Sequence, residues 1–145
     1  MANRTKYLIS ACLCGIPCRY NGKSAKDEKM ERMVRLGKTI PFCPEVLGGM
    51  SIPRDRTENF GGEGKDEIDG FVSVISQRGE DLTPFFLHGA VTSLNIARKF
   101  KIRKAIMKEN SPSCGCGWIN RNGKLVKGDG VTTDLFKRAG IKVLK

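Results

Sequence analysis

The feature that most constrains the fold of this chain is that short apolar segments lead into loops that contain cysteine. Three such segments predict β-strands: residues 6–11 precede Cys12, residues 39–42 precede Cys43, and residues 104–107 precede the loop of Cys114. Helical periodicity occurs between these strands, so strands and helices alternate along the chain. This alternation predicts an α/β fold with a mostly parallel, Rossmann-like sheet flanked by helices.

Three helices are predicted from apolar periodicity and from the residues at their ends. They span residues 27–36, 81–100 and 131–139, and Asp27 and Gly37 mark the two ends of the first. The longest helix is expected to bury one broad apolar stripe, which consists of Phe85, Leu87, Ala90, Val91, Leu94, Ile96 and Ala97.

Weaker patterns predict two further strands, a hairpin and a long loop. The strands are residues 71–75 and 141–144, the hairpin is residues 118–126 with Asn122-Gly123 at its turn, and the loop is residues 48–70. Pro41 cannot donate a backbone hydrogen bond, so the strand that contains it is expected near an edge of the sheet.

The length of the chain bounds the number of domains. Its 145 residues have no internal repeat, and we expect one compact domain over residues 1–145.

In an open parallel sheet, ligands bind in the crevice outside the carboxyl ends of the strands. Cys12, Cys43 and Cys114 are therefore expected to lie close together at that edge, in a functional site.

The chemistry expected of the six cysteines depends on whether the protein lies in an oxidising or a reducing compartment. No apolar run approaches the roughly 18 residues that cross a membrane. The N-terminal residues lack the pattern of a cleavable signal, so we expect a cytoplasmic protein without a membrane partner. Cytosolic thiols stay reduced, which favours metal binding or catalysis over disulfides.

The chain is strongly basic, with 26 Lys and Arg against 15 Asp and Glu and a formal net charge of +11. Such a charge favours anionic partners such as tRNA or a nucleotide. The cations are scattered, however, and the aromatic content is only 7%, too low for an evident base-stacking surface. A solvated basic surface and an affinity for RNA both remain open.

The cysteine spacing argues against a structural zinc site, because the chain has no two C-x2-4-C pairs. The single histidine, His88, falls within the longest predicted helix and away from the cysteine loops. Thiolate-rich sites without histidine favour iron–sulfur clusters. Three thiolates would leave one iron open for a substrate, as catalytic metal sites do.

Several motifs together resemble the DUF523 family, whose functionally understood members are thiouracil desulfidases. The motifs are S-A-C-L-C-G-I-P-C-R-Y-N-G-K (10–23), F-C-P-E-V-L-G-G (42–49), P-R (53–54), G-E-D-L-T (79–83), K-E-N-S-P-S-C-G (108–115) and K-L-V-K-G-D-G-V-T (124–132). The resemblance covers nearly the whole chain, in order and at matching spacing. It implies that Cys12, Cys43 and Cys114 bind the irons of a [4Fe-4S] cluster through three thiolates.

The same resemblance implies that Glu45 and Ser111 act in catalysis. A carboxylate beside the cluster in a partly desolvated site would suit acid–base chemistry. Two plainer interpretations remain open: Glu45 is a loop glutamate that pairs with a basic residue such as Arg54, and Ser111 is a turn serine. Ser113 fits the catalytic roles less well than Ser111.

The remaining cysteines, Cys14, Cys18 and Cys116, are interpreted as neighbours of the site rather than ligands. Cys14 stands where the family commonly has leucine. Cys116 lies two residues from Cys114, and its substitution for that ligand stays open.

The segment Gly128-Asp129-Gly130 before the third helix has two interpretations. Its N–H groups form a nest for an anion or a ring carbonyl, or Asp129 caps the helix.

The function predicted from these observations is a non-redox, iron–sulfur-dependent desulfidase. It converts 2- or 4-thiouracil to uracil and sulfide, with the substrate sulfur on the open iron. The alternatives are a sulfur carrier or RNA-binding protein that acts in tRNA thiolation, and a structural metal-binding module. A monomer and a weak homodimer are both compatible with the sequence.

Overall fold

The computed structural model describes residues 7–60, 73–121 and 124–144. In chain order, the elements are β1 (Tyr7–Ser10), a 3₁₀ helix (Ala11–Cys14), α1 (Glu28–Arg35), β2 (Thr39–Phe42), α2 (Pro44–Leu47), β3 (Thr57–Phe60), β4 (Ser73–Ser76), α3 (Thr83–Lys99), β5 (Lys104–Ile106), β6 (Trp118–Arg121), β7 (Lys124–Lys127), α4 (Val131–Arg138) and β8 (Lys142–Leu144). No helix of the described residues is long and apolar enough to cross a membrane.

A four-stranded parallel sheet organises the molecule, in the order β2-β1-β5-β8. The predicted α/β fold with a mostly parallel sheet is therefore confirmed. The chain passes from β1 to its neighbour β2 and later returns to place β5 on the other side of β1. This reversal makes a topological switch point between β1 and β5, where open α/β sheets bind their ligands.

Strand β2 lies at an edge of the sheet, as its proline predicts. Pro41 is in register with Ile9 of β1, and the edge position leaves its missing N–H without consequence. At the end of the same strand, the ring of Phe42 stacks on that of Phe136 with centroids 5.9 Å apart. This buried contact fixes the backbone immediately before Cys43.

Helix α3 buries Ala90, Leu94 and Ala97 of the predicted stripe, but two of the stripe's residues lie outside its buried face. Phe85 and Val91 of the expected stripe are 42% and 50% exposed. The residues that are buried are Phe86, Gly89, Ala90, Ser93, Leu94 and Ala97. Hydrophobicity alone does not predict that Gly89 and Ser93 belong to this face, because close helix packing selects small residues as well as apolar ones.

The start of α3 also differs from the prediction. The helix begins at Thr83 rather than at residue 81, with Pro84 in its first turn, where proline is well tolerated. Asp81 precedes it and accepts a hydrogen bond from the Thr83 N–H at 3.0 Å.

The loop predicted over residues 48–70 contains a strand. Residues 57–60 form β3, which pairs antiparallel with β4. The sequence Thr-Glu-Asn-Phe has a single apolar residue and therefore gives little strand signal on its own. Residues 61–72, which include the rest of this loop and the start of the strand predicted at 71–75, lie outside the described residues.

The remaining predicted elements are confirmed with small shifts of their ends. Asp27 caps α1 through its contact with the Lys29 N–H, and Gly37 follows the helix with a positive φ of 71°. The predicted hairpin is the antiparallel pair β6–β7. Its Asn122-Gly123 turn lies outside the described residues.

Candidate functional site

A pocket of about 260 Å³ opens at the carboxyl ends of β1, β2 and β5, beside the switch point of the sheet. Loops from all three strands line it. The side chains that matter for its chemistry are Cys12, Cys18, Cys43, Glu45, Ser111 and Cys114. The three cysteines expected at this edge are therefore brought to one pocket, together with both predicted catalytic residues.

The loop after β1 is shaped by local backbone structure. Its 3₁₀ helix ends at Gly15, which has a left-handed φ of 92° and donates its N–H to the Cys12 carbonyl at 3.3 Å. Cys12 lines the pocket. Cys14, two residues later, packs instead with Ile9 and Ile106 in the core.

Cys18, interpreted from the sequence as a neighbour of the site, lines the pocket further along the same loop. Its side chain lies within hydrogen-bonding reach of the side chains of both Cys12 and Cys43. That it does not bind a cluster stays a prediction. Only the tertiary course of the loop, and no local signal, brings it back.

Helix α2 begins directly after Cys43 and contains Glu45. It can lie against α3 because two glycines, which have no side chain, stand at the contact. A Cβ atom on Gly48 would stand 2.1 Å from the Phe85 carbonyl oxygen, and one on Gly89 would stand 1.9 Å from the Pro44 carbonyl oxygen. These distances are well inside van der Waals contact. The two glycines therefore set how closely α2, and with it the start of the Cys43 loop, approaches the body of the protein.

The carboxylate of Glu45 is held from two sides. Arg54 donates to Oε2 through Nε at 2.9 Å and also through Nη2. Ser113 donates from Oγ to Oε1 at 3.3 Å. The Glu45 and Arg54 side chains are only 13% and 6% exposed, and a charge-assisted pair of this kind has a fixed geometry.

The interpretation of Glu45 as the partner of Arg54 is thus confirmed. It does not remove Glu45 from the pocket, because the guanidinium occupies only Oε2. The P-R motif at residues 53–54 was the sequence signal for this partner.

The loop after β5 is held by helix α4. The α4 N–H groups of Val131 and Thr132 donate to the carbonyls of Pro112 and Ser113, both at 2.9 Å. The hydroxyl of Thr133 donates to the Cys114 carbonyl, also at 2.9 Å. The first turn of α4 therefore provides the donors that fix the segment around Cys114.

Gly130 allows the start of α4 to lie close to the loop of Cys114. The contacts of Gly128-Asp129-Gly130 show that both interpretations of this segment were wrong. A Cβ on Gly130 would stand 2.4 Å from the Ser113 carbonyl carbon. The N–H groups of Gly130 and the first α4 residues bind loop carbonyls, so they do not form an open anion nest. Asp129 does not cap α4 either, because it accepts from the Gly117 N–H and pairs with Lys137.

Ser111 and Ser113 form a short chain of hydroxyls beside Cys114. Ser111 Oγ accepts from the N–H groups of Ser113 and Cys114 at 3.0 and 3.1 Å, which is the geometry of a turn serine. The two hydroxyl oxygens are 2.9 Å apart. Ser113 is 1% exposed and also contacts Cys114 Sγ at 3.6 Å.

Sequence reasoning placed Ser113 behind Ser111, whereas it is Ser113 that touches Glu45 in this structure. The spacing S-P-S-C gave no sign of this. Residues 111 and 113 differ in their partners only because Glu45 approaches from a distant part of the chain.

Three of the pocket thiols, Cys18, Cys43 and Cys114, have pKa values raised above the ordinary cysteine value. Burial raises the pKa of Cys114 to about 12. A hydrogen bond with Cys12 is the largest contribution that raises the pKa of Cys18, to about 11. The hydrogen bond with Cys18, followed by burial, moves the pKa of Cys43 far above its ordinary value. Binding of a metal to these sulfurs must therefore displace their protons.

The donor set fits a thiolate-bound cluster better than a single ion. Within residues 7–60, 73–121 and 124–144, no three His, Cys, Asp or Glu side chains are arranged to hold one metal ion. In a cluster, separate cysteines bind separate irons, so the thiolates need not meet at one point. Thiols from three separate loops around one pocket are compatible with that requirement.

The remaining cysteine and the histidine lie elsewhere. Cys116 is buried, and its N–H donates to Glu109 Oε1 at 2.9 Å; its side chain does not line the pocket. His88 is exposed on α3, as expected, and also lies outside the pocket lining.

Comparison with known proteins connects this pocket to a family. The 2-thiouracil desulfurase family matches residues 7–145. The chain belongs to this family. The resemblance of its motifs to DUF523 is thereby confirmed.

Two similar proteins have been characterised to different degrees. The uncharacterized protein YbbK of Bacillus subtilis (strain 168) is 44% identical over 140 residues, which cover 94% of this chain and 93% of YbbK. A solved structure of the [4Fe-4S]-dependent thiouracil desulfidase TudS matches with a TM-score of 0.84 and 36% identity. The match covers 97% of this chain and 89% of the TudS chain. The family and this structure together support an iron–sulfur thiouracil desulfidase.

Proposed function

We propose that the pocket converts 2- or 4-thiouracil to uracil and sulfide, with a [4Fe-4S] cluster held by Cys12, Cys43 and Cys114. The observation that carries the proposal is that three loops deliver these cysteines and a buried, doubly held carboxylate to one pocket. When bound, the cluster supplies an iron without a cysteine ligand, a Lewis acid that accepts sulfur without net electron transfer.

The reaction adds water to the substrate. A C–O bond forms at the ring carbon, its C–S bond breaks, and the products are uracil and hydrogen sulfide. No electron is gained or lost, so neither a reductant nor an oxidant is needed. The chain must therefore position the ring and manage one or two protons.

Glu45 is proposed to manage those protons. Arg54 holds Oε2 of the carboxylate through a hydrogen bond of 2.9 Å. The hydrogen bond that Oε1 accepts from the Ser113 hydroxyl is longer, at 3.3 Å. Oε1 is thus the oxygen that can accept a proton from the attacking water and return it to the ring or to the departing sulfur. Arg54 acts through Glu45 as a positioning residue.

Ser111 is proposed to orient the substrate. Its Oγ already accepts two backbone N–H groups, so its own proton is the group that remains for donation. Ser111 can donate that proton in a hydrogen bond to the Ser113 hydroxyl or to a ring carbonyl of the substrate. Asn110 and Asn120 also line the pocket and offer amide groups to a pyrimidine.

The pocket size favours a small substrate. A volume of about 260 Å³ lies near the lower end of the range for small-molecule sites. The cations Arg19, Arg56 and Lys108 also line the pocket, so a thiolated nucleotide is a rational second substrate to compare with the free base.

The test is anaerobic reconstitution with iron and sulfide, removal of the excess, and measurement of sulfide release and ring product by chromatography. We expect 2- or 4-thiouracil to give uracil and sulfide in equal amounts, and protein without iron to give neither. 4-Thiouridine monophosphate serves as the nucleotide arm. Iron-loaded protein that converts none of these compounds would contradict the proposal.

Three further expectations stay predictions. These are a single domain over residues 1–145, a cytoplasmic location, and a monomer or weak homodimer.

A further inference from the structure

The pocket contains one thiol more than the proposed cluster requires. Cys12, Cys18, Cys43 and Cys114 all line it, and Cys18 is 4% exposed. The Cys18 side chain reaches the side chains of two of the proposed ligands, Cys12 and Cys43.

The backbone around Cys18 is fixed rather than loosely placed. Its N–H donates to the Ile16 carbonyl at 2.8 Å. Its own carbonyl accepts from Arg54 Nη2 at 3.0 Å and from Cys43 Sγ at 4.0 Å. The Arg54 side chain that positions Glu45 therefore also ties Cys18 to the Cys43 side of the pocket.

The contrast with the other two extra cysteines is clear. Cys14 packs with Ile9 and Ile106, and the Cys116 side chain does not line the pocket. Among the cysteines outside the proposed ligand set, Cys18 is the one that lines the pocket with the proposed ligands.

We propose that Cys18 is an alternative ligand of the cluster pocket, able to bind iron in place of Cys12 or Cys43. The proposal rests on the cluster of the proposed function. In the exchange, the Cys18 thiol gives its proton to solvent and binds iron as a thiolate, while the released cysteine takes up a proton. No electron is transferred.

The contacts of Cys18 differ among the three proposed ligands, so it should not replace all three equally well. The contacts of Cys18 are with Cys12 and Cys43, whereas hydrogen bonds from Ser113 and Ser10 act on the Cys114 thiol. Cys18 should therefore replace Cys12 or Cys43 but not Cys114. Loss of Cys43 should leave a pocket that still offers three thiolates.

The test measures iron and acid-labile sulfide per chain, with visible absorption, after anaerobic reconstitution of Cys43→Ala, Cys18→Ala/Cys43→Ala and Cys14→Ala/Cys43→Ala. The alanine side chain offers no ligand atom. We expect Cys43→Ala to keep about half of the wild-type iron and the Cys18 double variant to keep about one tenth or less. The Cys14 double variant is the matched control and should equal Cys43→Ala.

A second pair of variants, at Cys12, ensures that the test does not depend on whether the Cys43→Ala variants fold. Cys12→Ala and Cys12→Ala/Cys18→Ala should show the same loss, and thermal unfolding of each cluster-free variant checks that it folds. Equal iron in the single and Cys18 double variants of both pairs would overturn the proposal. Loss of iron already in both single variants would also overturn it.

The outcomes separate this inference from the proposed function. If the iron contents follow the expected pattern but the loaded wild type releases no sulfide from thiouracil, the inference stands and the desulfidase function fails. If the wild type turns over thiouracil while Cys18 has no effect on iron content, only the inference fails. A wild-type chain that binds no iron would contradict both.

Discussion

The loops of Cys12 and Cys114 follow neighbouring strands and reach the same pocket, yet they are held in different ways. The first loop begins in a 3₁₀ helix that ends at Gly15, and the N–H groups of Ala25 and Asp27, later in the same connection, donate to the carbonyls of Cys12 and Leu13. The second is fixed by helix α4, whose first turn donates to the carbonyls of residues 112–114. The start of the first loop is therefore held within the connection from β1 to α1, whereas the second loop depends on a helix that follows the hairpin β6–β7.

The two loops share one arrangement. Each has a pair of cysteines two residues apart, and in each pair the first lines the pocket while the second does not. Only the first loop brings a further cysteine, Cys18, back to the site. The first loop therefore has a spare thiol and the second has none.

The largest expected effect distinguishes the two cysteines of the second loop. Cys114→Ala should lose most of the iron bound on reconstitution, because the proposed replacement by Cys18 is confined to Cys12 and Cys43, the two cysteines that it contacts. Cys116→Ala should keep wild-type iron, because its side chain lies outside the pocket lining. Iron analysis with visible absorption measures both, and a Cys114→Ala variant that loads as well as Cys116→Ala would contradict the ligand assignment.

The next effect compares the glycines of the two loops. Gly130→Ala should lower the free energy of unfolding by about 3 kcal/mol, because its Cβ would overlap the Ser113 backbone. Gly15→Ala should lower it by about 1 kcal/mol, because its φ is left-handed but its Cβ would meet only the Lys26 side chain at 3.6 Å. Urea unfolding of the cluster-free proteins measures the two, and the reverse order would show that α4 does not fix the second loop.

A smaller effect tests the hydroxyl that α4 provides. Thr133→Val removes the bond to the Cys114 carbonyl and should lower the free energy of unfolding by about 1 kcal/mol. Thr132→Val is a closely matched control, because both side chains are fully buried and Thr132 Oγ1 has no hydrogen-bond partner among the residues that the structure describes. Equal losses in the two variants would show that the bond to Cys114 adds nothing.

The smallest effect concerns the surface beside the first loop. Lys26 and then Arg35 lower the pKa of Glu31, with Lys26 Nζ 2.8 Å from its carboxylate. A lowered pKa in the folded state adds stability above the unfolded-state pKa of about 4.3, and this stability is lost as the pH falls further. The melting temperature of the wild type should therefore approach that of Glu31→Gln below this pH. A gap between them that stays constant down to pH 2 would show that the pair does not contribute.

The sequence predicted the parts of the site that depend on topology. Strands that alternate with helices place Cys12, Cys43 and Cys114 at the carboxyl edge of one parallel sheet, and this edge has the pocket. The partner of Glu45 was among the predicted interpretations, because Arg54 follows in a recognisable motif.

The parts that failed depend on packing between distant elements. Gly130 and Gly89 allow a backbone to approach within a distance that no pattern of apolar residues indicates. For the same reason the buried face of α3 contains Ser93, and Asp129 accepts from Gly117 instead of capping α4. The sequence also did not indicate which cysteines Cys18 contacts, because separation along the chain does not show its approach to Cys43.

The central claim is that this cysteine pocket uses the carboxylate of Glu45 to desulfurate a pyrimidine. The most direct measurement compares sulfide release from thiouracil by the wild type and Glu45→Gln, both loaded anaerobically and matched for iron content. We expect equal amounts of uracil and sulfide from the wild type and a rate lower by about 10²-fold in the variant. Equal rates for the two iron-matched proteins would contradict it.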